Sequence, residues 1–341
     1  MADIPKTAGS RWRRITALAL KASVSAGLLA YLLYVQVDNA DDIWSAIGQA
    51  DPLLLLLAFS LNAIGYLLCS WRWQILLKAQ GFRVPLIELI RAYTIGIFFN
   101  SFLPGLMSGD FMRALDISDR VSSYTRSFLI LFVERLTGMF GLLVLAVFAL
   151  PLAGWNIIGQ TGVIWVLAAI AALLLAAGLI LKAMPHSQSR LRHIPGIRKL
   201  GGIAHNMSET SKGFASRMTA VYGCMAISIV FQANVVLHFY LIGLAVGIDL
   251  PLQVYFGIIP VSLFVMMIPA SINGIGIREQ IFVYLFGAFG TDAAAAISLA
   301  WLALAMVLLQ AVAGGVLFAL RKRRRAAAPG ETAASKPSPP G

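Results

Sequence analysis

Long apolar segments alternate with short polar ones along most of the chain. Runs of about 20 apolar residues match a bilayer hydrocarbon core of roughly 30 Å. Six such runs cover residues 15–34, 53–77, 128–150, 163–181, 218–246 and 293–320. The first run is longer than a signal-peptide core of about 7–15 residues, and no clear cleavage site follows it. We therefore predict six transmembrane helices and expect the first one to be retained.

Two further apolar segments, 86–103 and 252–268, end in breaks rich in proline and glycine, and each is followed by a short second leg. We place the arginines near the N-terminus in the cytoplasm, where basic segments of membrane proteins are enriched. The basic loop 182–217 is then also cytoplasmic only if the first broken segment enters from the cytoplasmic side and returns to that side. The second broken segment, 252–289, then enters from the outside. The predicted fold is an all-α polytopic membrane protein with six full transmembrane helices, two re-entrant hairpins and an inverted-topology repeat, an arrangement typical of transporters.

This pattern divides the chain into a basic cytoplasmic N-terminus, a transmembrane domain and a basic tail. The transmembrane domain is predicted to cover residues 15–320, with one half at about 15–150 and the other at about 163–320. Residues 321–341 begin with "RKRRR" and continue as an Ala/Pro/Ser-rich stretch that cannot bury a core. We expect this tail to be cytoplasmic and disordered.

Composition supports the same environment, since 59% of the residues are hydrophobic, 12% are charged and the mean hydropathy is +0.81. These values exclude an ordinary soluble domain. Basic segments that border apolar spans account for the net charge of +12 without nucleic acid as a partner. The two cysteines, Cys69 and Cys224, fall in apolar segments without metal-ligand spacing, and no Walker-type phosphate loop is present. We therefore expect no metal, disulfide or nucleotide cofactor.

The two hairpin tips share a short sequence pattern. "PGLMSGDFMR" begins at Pro104 and "PASINGIGIR" begins at Pro269. Irregular backbone inside a membrane must be buried in protein or line a cavity. A helix that begins near Gly109 or Gly276 presents free N–H groups and a partial positive charge that favour an anion. Gly109, Gly274 and Gly276 would let a ligand approach the backbone closely.

One arginine follows each tip. Arg113 and Arg278 lie in or near the first turns of the second legs, where a guanidinium group is suited to binding a phosphate through two hydrogen bonds. The alternative for Arg113 is an ion pair with Asp110 or Asp116, three residues away on either side. Arg278 has only Glu279 as a close charged neighbour in sequence.

A second group of polar residues lies within apolar segments. Glu134 and Arg135 occur in "FVERLTGMFG", and ionisable residues inside a span are functional candidates. Neighbours on a helix point about 100° apart, so each needs either a partner elsewhere or a water-filled cavity. Arg135 and Asn100 join the candidates for lipid-phosphate binding, while Glu134, Asp110 and Glu279 are candidates for proton coupling or structural ion pairs. We interpret "WRWQ" at 71–74 as an interfacial anchor.

Three motifs in order carry a family resemblance: "NSFLPGLMSGDFMR" (100–113), "VERLTG" (133–138) and "IPASINGIGIRE" (268–279). At these residues the chain resembles the lysylphosphatidylglycerol synthase transmembrane-region family, also described as flippase-like membrane proteins. The resemblance implies movement of a phospholipid or lipid-linked head group between leaflets. Two-module members carry a soluble aminoacyl-transfer domain after the membrane part, and here we expect a stand-alone membrane module.

The leading prediction is a non-enzymatic translocase. It would flip an anionic phospholipid or lipid-linked intermediate across the inner (cytoplasmic) membrane of a bacterium, with both termini in the cytoplasm. One alternative is a membrane-embedded lipid or polyprenyl-phosphate transferase, and another is a non-transporting scaffold whose partner is a lipid-modifying enzyme. Sugar or aminoacyl incorporation by the purified protein would favour the transferase, and stable co-purification with a synthase would favour the scaffold.

Overall fold

The computed structural model describes residues 40–102, 108–121, 123–153, 209–210, 213–214, 216–267 and 274–327. Several predicted features lie outside these residues: the spans at 15–34 and 163–181, the N-terminal segment 1–14, most of the basic loop 182–217, the tip residues Pro104 and Pro269, and the tail from residue 328 onward.

Nine helices and no strands are delimited within the described part of the chain. They are α1 (Ala40–Gly48), α2 (Pro52–Ala79), α3 (Leu86–Phe102), α4 (Ser108–Val121), α5 (Tyr124–Ala153), α6 (Met218–Ala245), α7 (Leu252–Met266), α8 (Ile277–Gly287) and α9 (Ala293–Ala327). Four of them, α2, α5, α6 and α9, are long and apolar enough to cross a membrane, in agreement with four of the six predicted spans. The protein is an all-α polytopic membrane protein, as predicted.

Local sequence explains where α2, the first of the four described spans, begins. The Asp51 side chain accepts hydrogen bonds from the backbone N–H groups of Leu53 (2.8 Å) and Leu54 (3.3 Å), and Pro52 occupies the first turn. The aspartate satisfies donors that a helix start leaves unpaired, and proline has no N–H group to leave unpaired there. The 28 residues of α2 then provide the apolar length that a bilayer requires.

Both predicted hairpins are present as pairs of helices that fold back on each other. At the open end of the first hairpin, Arg120 of α4 forms an ion pair with Glu88 of α3 at 2.9 Å. At the open end of the second, the rings of Tyr255 in α7 and Phe286 in α8 lie 5.2 Å apart. In each pair, therefore, the second helix ends on the side where the first helix began.

Charge separates the two ends of the helix bundle. The basic end is marked by Lys78, Arg83, Arg120 and Arg217, and the Arg217 guanidinium donates a hydrogen bond to the Lys78 carbonyl at 3.0 Å. The acidic end comprises residues 40–52, 244–252 and 286–294, which contain aspartates but no lysine or arginine. Asp51 N–H donates to the Ala245 carbonyl at 3.1 Å, which joins two of these segments. The first hairpin opens at the basic end and the second opens at the acidic end.

A repeat with a spacing of 166 residues relates the two halves. Helices α6 and α7 begin 166 positions after α2 and α3, and "GFRVPL" (81–86) corresponds to "GIDLPL" (247–252). Gly81 and Gly247 both have positive φ angles, 86° and 83°. Phe82 N–H donates to the Leu77 carbonyl at 2.9 Å, and the equivalent bond from Ile248 N–H to the Gly243 carbonyl measures 2.8 Å. The repeat agrees with the inverted-topology repeat predicted from the sequence, and it adds the 166-residue register and the matching loops to the similarity of the hairpin tips.

Packing follows the repeat as well. Helices α2 and α6 contact each other, α3 packs on α9, and the corresponding helix α7 packs on α5. One apolar core lies around α6, α7, α8 and α9, and a second lies around the basic ends of α2, α3, α4, α5 and α6. Each hairpin is therefore held against a long span of the opposite half.

Candidate functional site

A buried ionic cluster connects the first hairpin to the rest of the bundle. Glu134 of α5 accepts hydrogen bonds from two arginines: Arg72 of α2 at 2.6 Å and Arg113 of α4 at 2.9 Å. All three residues are at most 6% exposed. Arg72 also donates to the Ser228 hydroxyl of α6 at 2.8 Å. Four helices therefore meet at charged groups inside an otherwise apolar bundle.

Asp110 extends this cluster along α4. Its carboxylate accepts hydrogen bonds from Arg113, at 3.1 Å, and from Nε of Arg135. The Arg113 guanidinium also lies over the rings of Trp73 and Tyr93, at 4.5 and 4.3 Å from their centroids. The ion pair between Arg113 and Asp110 that the spacing offered as an alternative is thus formed. Glu134 and Arg135 have partners on other helices, as their divergent directions predicted.

The interpretation of "WRWQ" as an interfacial anchor is wrong for two of its residues. Arg72 is 4% exposed and Trp73 is fully buried, whereas Trp71 is 48% exposed. Gly138 provides the space for Arg72, because a Cβ atom there would lie 3.3 Å from the guanidinium. The rule that ionisable residues inside spans are functional candidates would have identified Arg72, had the prediction not placed it at the membrane surface.

Close helix contact explains two other candidates in the first hairpin. The Asn100 side chain accepts a hydrogen bond from Gly109 N–H at 2.8 Å, at the start of α4. A Cβ atom on Gly109 would lie 2.2 Å from the Gly96 carbonyl oxygen. In the structure, Gly109 allows close approach by α3, and Asn100 satisfies one of the N–H groups that α4 leaves unpaired at its start.

The second hairpin has a different arrangement around its arginine. Gly274 and Gly276 have φ angles of 76° and 85°, and α8 begins directly after them. The buried Glu279 side chain turns back and accepts a hydrogen bond from Gly276 N–H at 2.7 Å. Arg278 N–H donates to the Gly274 carbonyl at 2.8 Å, which places the Arg278 side chain in the first turn of α8.

Arg278, which is 6% exposed, lines a cavity of about 300 Å³ between five helices. Four other polar residues contribute to its wall: Asn62, Tyr66, Asn234 and His238. The remaining lining is largely apolar and includes Phe231, Phe239, Leu263, Met266, Ala303, Leu304 and Val307. A concave, mainly apolar space with a few polar groups is typical of small-molecule sites.

Sequence reasoning missed the polar residues that α6 contributes. The Asn234 amide donates to the Leu61 carbonyl at 2.9 Å, and Nδ1 of His238 lies 2.8 Å from the Ala58 carbonyl oxygen. A carbonyl oxygen only accepts, so Nδ1 of His238 carries a hydrogen. The signal was present, because asparagine and histidine interrupt the apolar run 218–246.

Aromatic rings lie between the cluster and the cavity. Tyr66 lines the cavity, and its ring lies 5.6 Å from that of Tyr93, which stacks on Arg113. Phe231 also lines the cavity, and the Arg72 guanidinium lies 5.7 Å from its centroid. The two arginine sites are therefore neighbours that share a wall, one filled with ion pairs and the other bordering open space.

Comparison with known proteins agrees with the motifs. The sequence model of the family described as "Lysylphosphatidylglycerol synthase TM region" matches residues 18–315. The chain belongs to this family. The match spans all three motifs that carried the resemblance. A relative described as a UPF0104 membrane protein, from Pyrococcus horikoshii, is 26% identical over 281 residues, which cover 74% of this chain and 82% of that protein. Its description specifies a membrane protein and no activity.

Proposed function

We propose that this family member moves an anionic lipid between the two leaflets of a membrane, with the head group passing through the Arg278 cavity. The observation that supports this most directly is a buried arginine on the wall of a space of about 300 Å³ within the helix bundle. A guanidinium in a site of low polarity binds phosphate strongly, since charge-assisted hydrogen bonds are shorter and stronger than neutral ones.

Helix packing supports different roles for the two hairpins. The first hairpin is tied to α5 and α2 through the buried ion pairs of Arg113 and Arg72 with Glu134. A hydrogen bond from Arg72 to Ser228 connects the same cluster to α6. The second hairpin instead places Arg278 on the wall of the cavity. We propose that the first hairpin is a fixed support, and that the second hairpin moves as the head group passes.

The charge distribution supports an orientation for this transport. We propose that the basic end, with Lys78, Arg83, Arg120 and Arg217, faces the cytoplasm, in line with the excess of lysine and arginine in cytoplasmic loops. The acyl chains would stay in the bilayer while the phosphate crosses beside Arg278. The membrane would then be the cytoplasmic membrane, and the partner a phospholipid or a lipid-linked head group.

A flipping assay with purified protein tests the proposal. The full-length protein is reconstituted into vesicles that contain fluorescent phosphatidylglycerol, and dithionite then destroys the fluorescence of lipids in the outer leaflet. Wild-type protein should expose more than half of the probe over time, while protein-free vesicles stay near half. Arg278→Gln should slow this exposure about 10-fold or more, because a hydrogen bond to a charged group contributes about 1.5–3 kcal/mol.

Arg120→Gln is the matched control, because Arg120 is an exposed arginine with a 57% accessible side chain. It should leave the flipping rate within about 2-fold of the wild type, since exposed ion pairs contribute little. Equal rates for the wild type and Arg278→Gln would refute the assigned path. If vesicles with wild-type protein expose no more of the probe than protein-free vesicles, translocation of this lipid is refuted. A transferase or a scaffold would then be the favoured function.

A further inference from the structure

The internal repeat identifies corresponding residues in the two arginine sites. The step of 166 that relates α2 to α6 takes Arg72 to His238 and Asn62 to Ser228. Arg72 and Ser228 are hydrogen-bonded in the ionic cluster, whereas Asn62 and His238 both line the cavity. The cavity is therefore the counterpart of the ionic cluster in the opposite half.

The hairpin arginines correspond in the same way. Counted from the tip prolines, Arg113 and Arg278 are equivalent residues of the two "P…G…R" motifs. Both are 6% exposed, and both belong to the helix that returns from the tip. Each site thus places one hairpin arginine beside α2, α6 and the long span that follows its own hairpin.

Helix α9 contains no counterpart of the anionic residue Glu134. Glu134 is the eleventh residue of α5, and the eleventh residue of α9 is Ala303, which lines the Arg278 cavity. Two other spacings give neighbouring residues. The spacing of 165 between Arg113 and Arg278 takes Glu134 to Leu299, and the spacing of 166 between α2 and α6 takes it to Ala300. Residues 293–320 contain no aspartate or glutamate, so α9 offers no carboxylate in any of these registers.

The nearest acidic residue in the second hairpin does not replace Glu134. The Glu279 carboxylate accepts a hydrogen bond from Gly276 N–H at 2.7 Å, and Glu279 is not part of the cavity wall. Where the first half places a carboxylate, the second half has an alanine and a cavity of about 300 Å³.

We propose that the phosphate group of a ligand occupies, beside Arg278 and His238, the position that the Glu134 carboxylate occupies beside Arg113 and Arg72. The ligand phosphate then adds to the second half an anionic group in the place where Glu134 adds one to the first. This inference rests on the proposed function, because it takes the lipid head group as the ligand. It adds a specific consequence: a carboxylate introduced at residue 303 should act as a built-in substitute for the ligand.

The first experiment measures this substitution without any ligand. Ala303→Glu and Ala303→Gln are compared in the full-length protein in detergent, with Arg278 intact and in the Arg278→Ala background. Ala303 lines the cavity, and the two introduced side chains have nearly the same shape but differ in charge. We expect Ala303→Glu to have the higher unfolding midpoint when Arg278 is present and the lower one when Arg278 is absent. This reversal measures coupling between the two positions. The same order of midpoints in both backgrounds would overturn the inference.

The second experiment measures binding with three defined probes: dioctanoyl phosphatidylglycerol, inorganic phosphate and neutral dioctanoylglycerol. Dioctanoyl phosphatidylglycerol should bind the wild type and Ala303→Gln, and Ala303→Glu should bind it at least 10-fold more weakly than Ala303→Gln. If inorganic phosphate competes with dioctanoyl phosphatidylglycerol, the phosphate group alone is sufficient for binding. If inorganic phosphate does not compete, binding also requires the lipid portion. Both results support the inference, whereas equal binding of dioctanoylglycerol would contradict it.

Failure of this inference and failure of the proposed function give different results. If the wild type flips lipid and Ala303→Glu flips at the rate of Ala303→Gln, transport stands and the phosphate position is wrong. If the reversal in unfolding midpoints and the loss of phosphatidylglycerol binding are seen but wild-type vesicles do not flip lipid, the phosphate position stands and translocation is wrong.

Discussion

Replacing Glu134 with glutamine removes the carboxylate that joins Arg72 to Arg113 while keeping the shape of the side chain. The amide oxygen of glutamine can accept from only one of the two arginines that bond Glu134 at 2.6 and 2.9 Å, because the amide NH2 group is itself a donor and faces the other arginine. The cluster of three arginines and two carboxylates changes from a net charge of +1 to +2. Removing one partner of a buried ion pair typically costs about 3–5 kcal/mol, because the remaining charge stays buried. We expect Glu134→Gln to lower the free energy of unfolding by that amount.

Glu88→Gln is the matched control, because Glu88 pairs with Arg120 at the surface, where both side chains are more than a third exposed. Exposed pairs contribute about 0–1 kcal/mol. Both variants are compared with the wild type by reversible unfolding in mixed detergent micelles, followed by tryptophan fluorescence. The two variants should therefore differ by about 2 kcal/mol or more.

A double substitution separates charge from packing. Adding Arg72→Gln to Glu134→Gln restores the net charge of the cluster to +1, so the double variant should be more stable than the sum of the two single effects predicts. Couplings between residues in contact are about 0.5–3 kcal/mol. If Glu134→Gln costs no more than Glu88→Gln, or if the two cluster substitutions add exactly, the first hairpin is not held by this cluster.

Two further predictions concern the first hairpin. Gly109→Ala should destabilise the protein by about 1–3 kcal/mol, because the added Cβ atom would lie 2.2 Å from the Gly96 carbonyl oxygen. Gly223→Ala, whose Cβ atom meets nothing within 4 Å, should be neutral or stabilising in the same unfolding assay. Residues 88 and 120 lie next to each other at the open end of the first hairpin. Cysteines introduced at these two positions should therefore be cross-linked within one chain by a short bismaleimide. In a separate experiment, a membrane-impermeant thiol reagent should label both cysteines from the same side of the membrane. Labelling from opposite sides would show that the segment crosses the membrane completely.

Hydropathy and breaks in the chain were enough to predict the architecture. Apolar runs, their lengths and the Pro/Gly tips are local properties, so the four described spans and both hairpins follow from them. The basic and acidic ends follow from loop composition in the same way. The 166-residue repeat was also readable in "GFRVPL" and "GIDLPL", but short similarities stand out only when the helix boundaries are known.

The pairing of the polar residues, in contrast, depends on how the helices pack in three dimensions. Arg72 and Glu134 are 62 positions apart, and Arg72 and Ser228 are 156 positions apart, so nothing in local spacing pairs them. Both hairpin arginines had the same expected role from sequence, yet one lies among carboxylates and the other on a cavity wall. From the amino-acid pattern alone, charged residues could be assigned to the broken helices of the membrane domain. Whether a protein carboxylate or open space lies beside each arginine depends on residues of other helices, which only packing brings together.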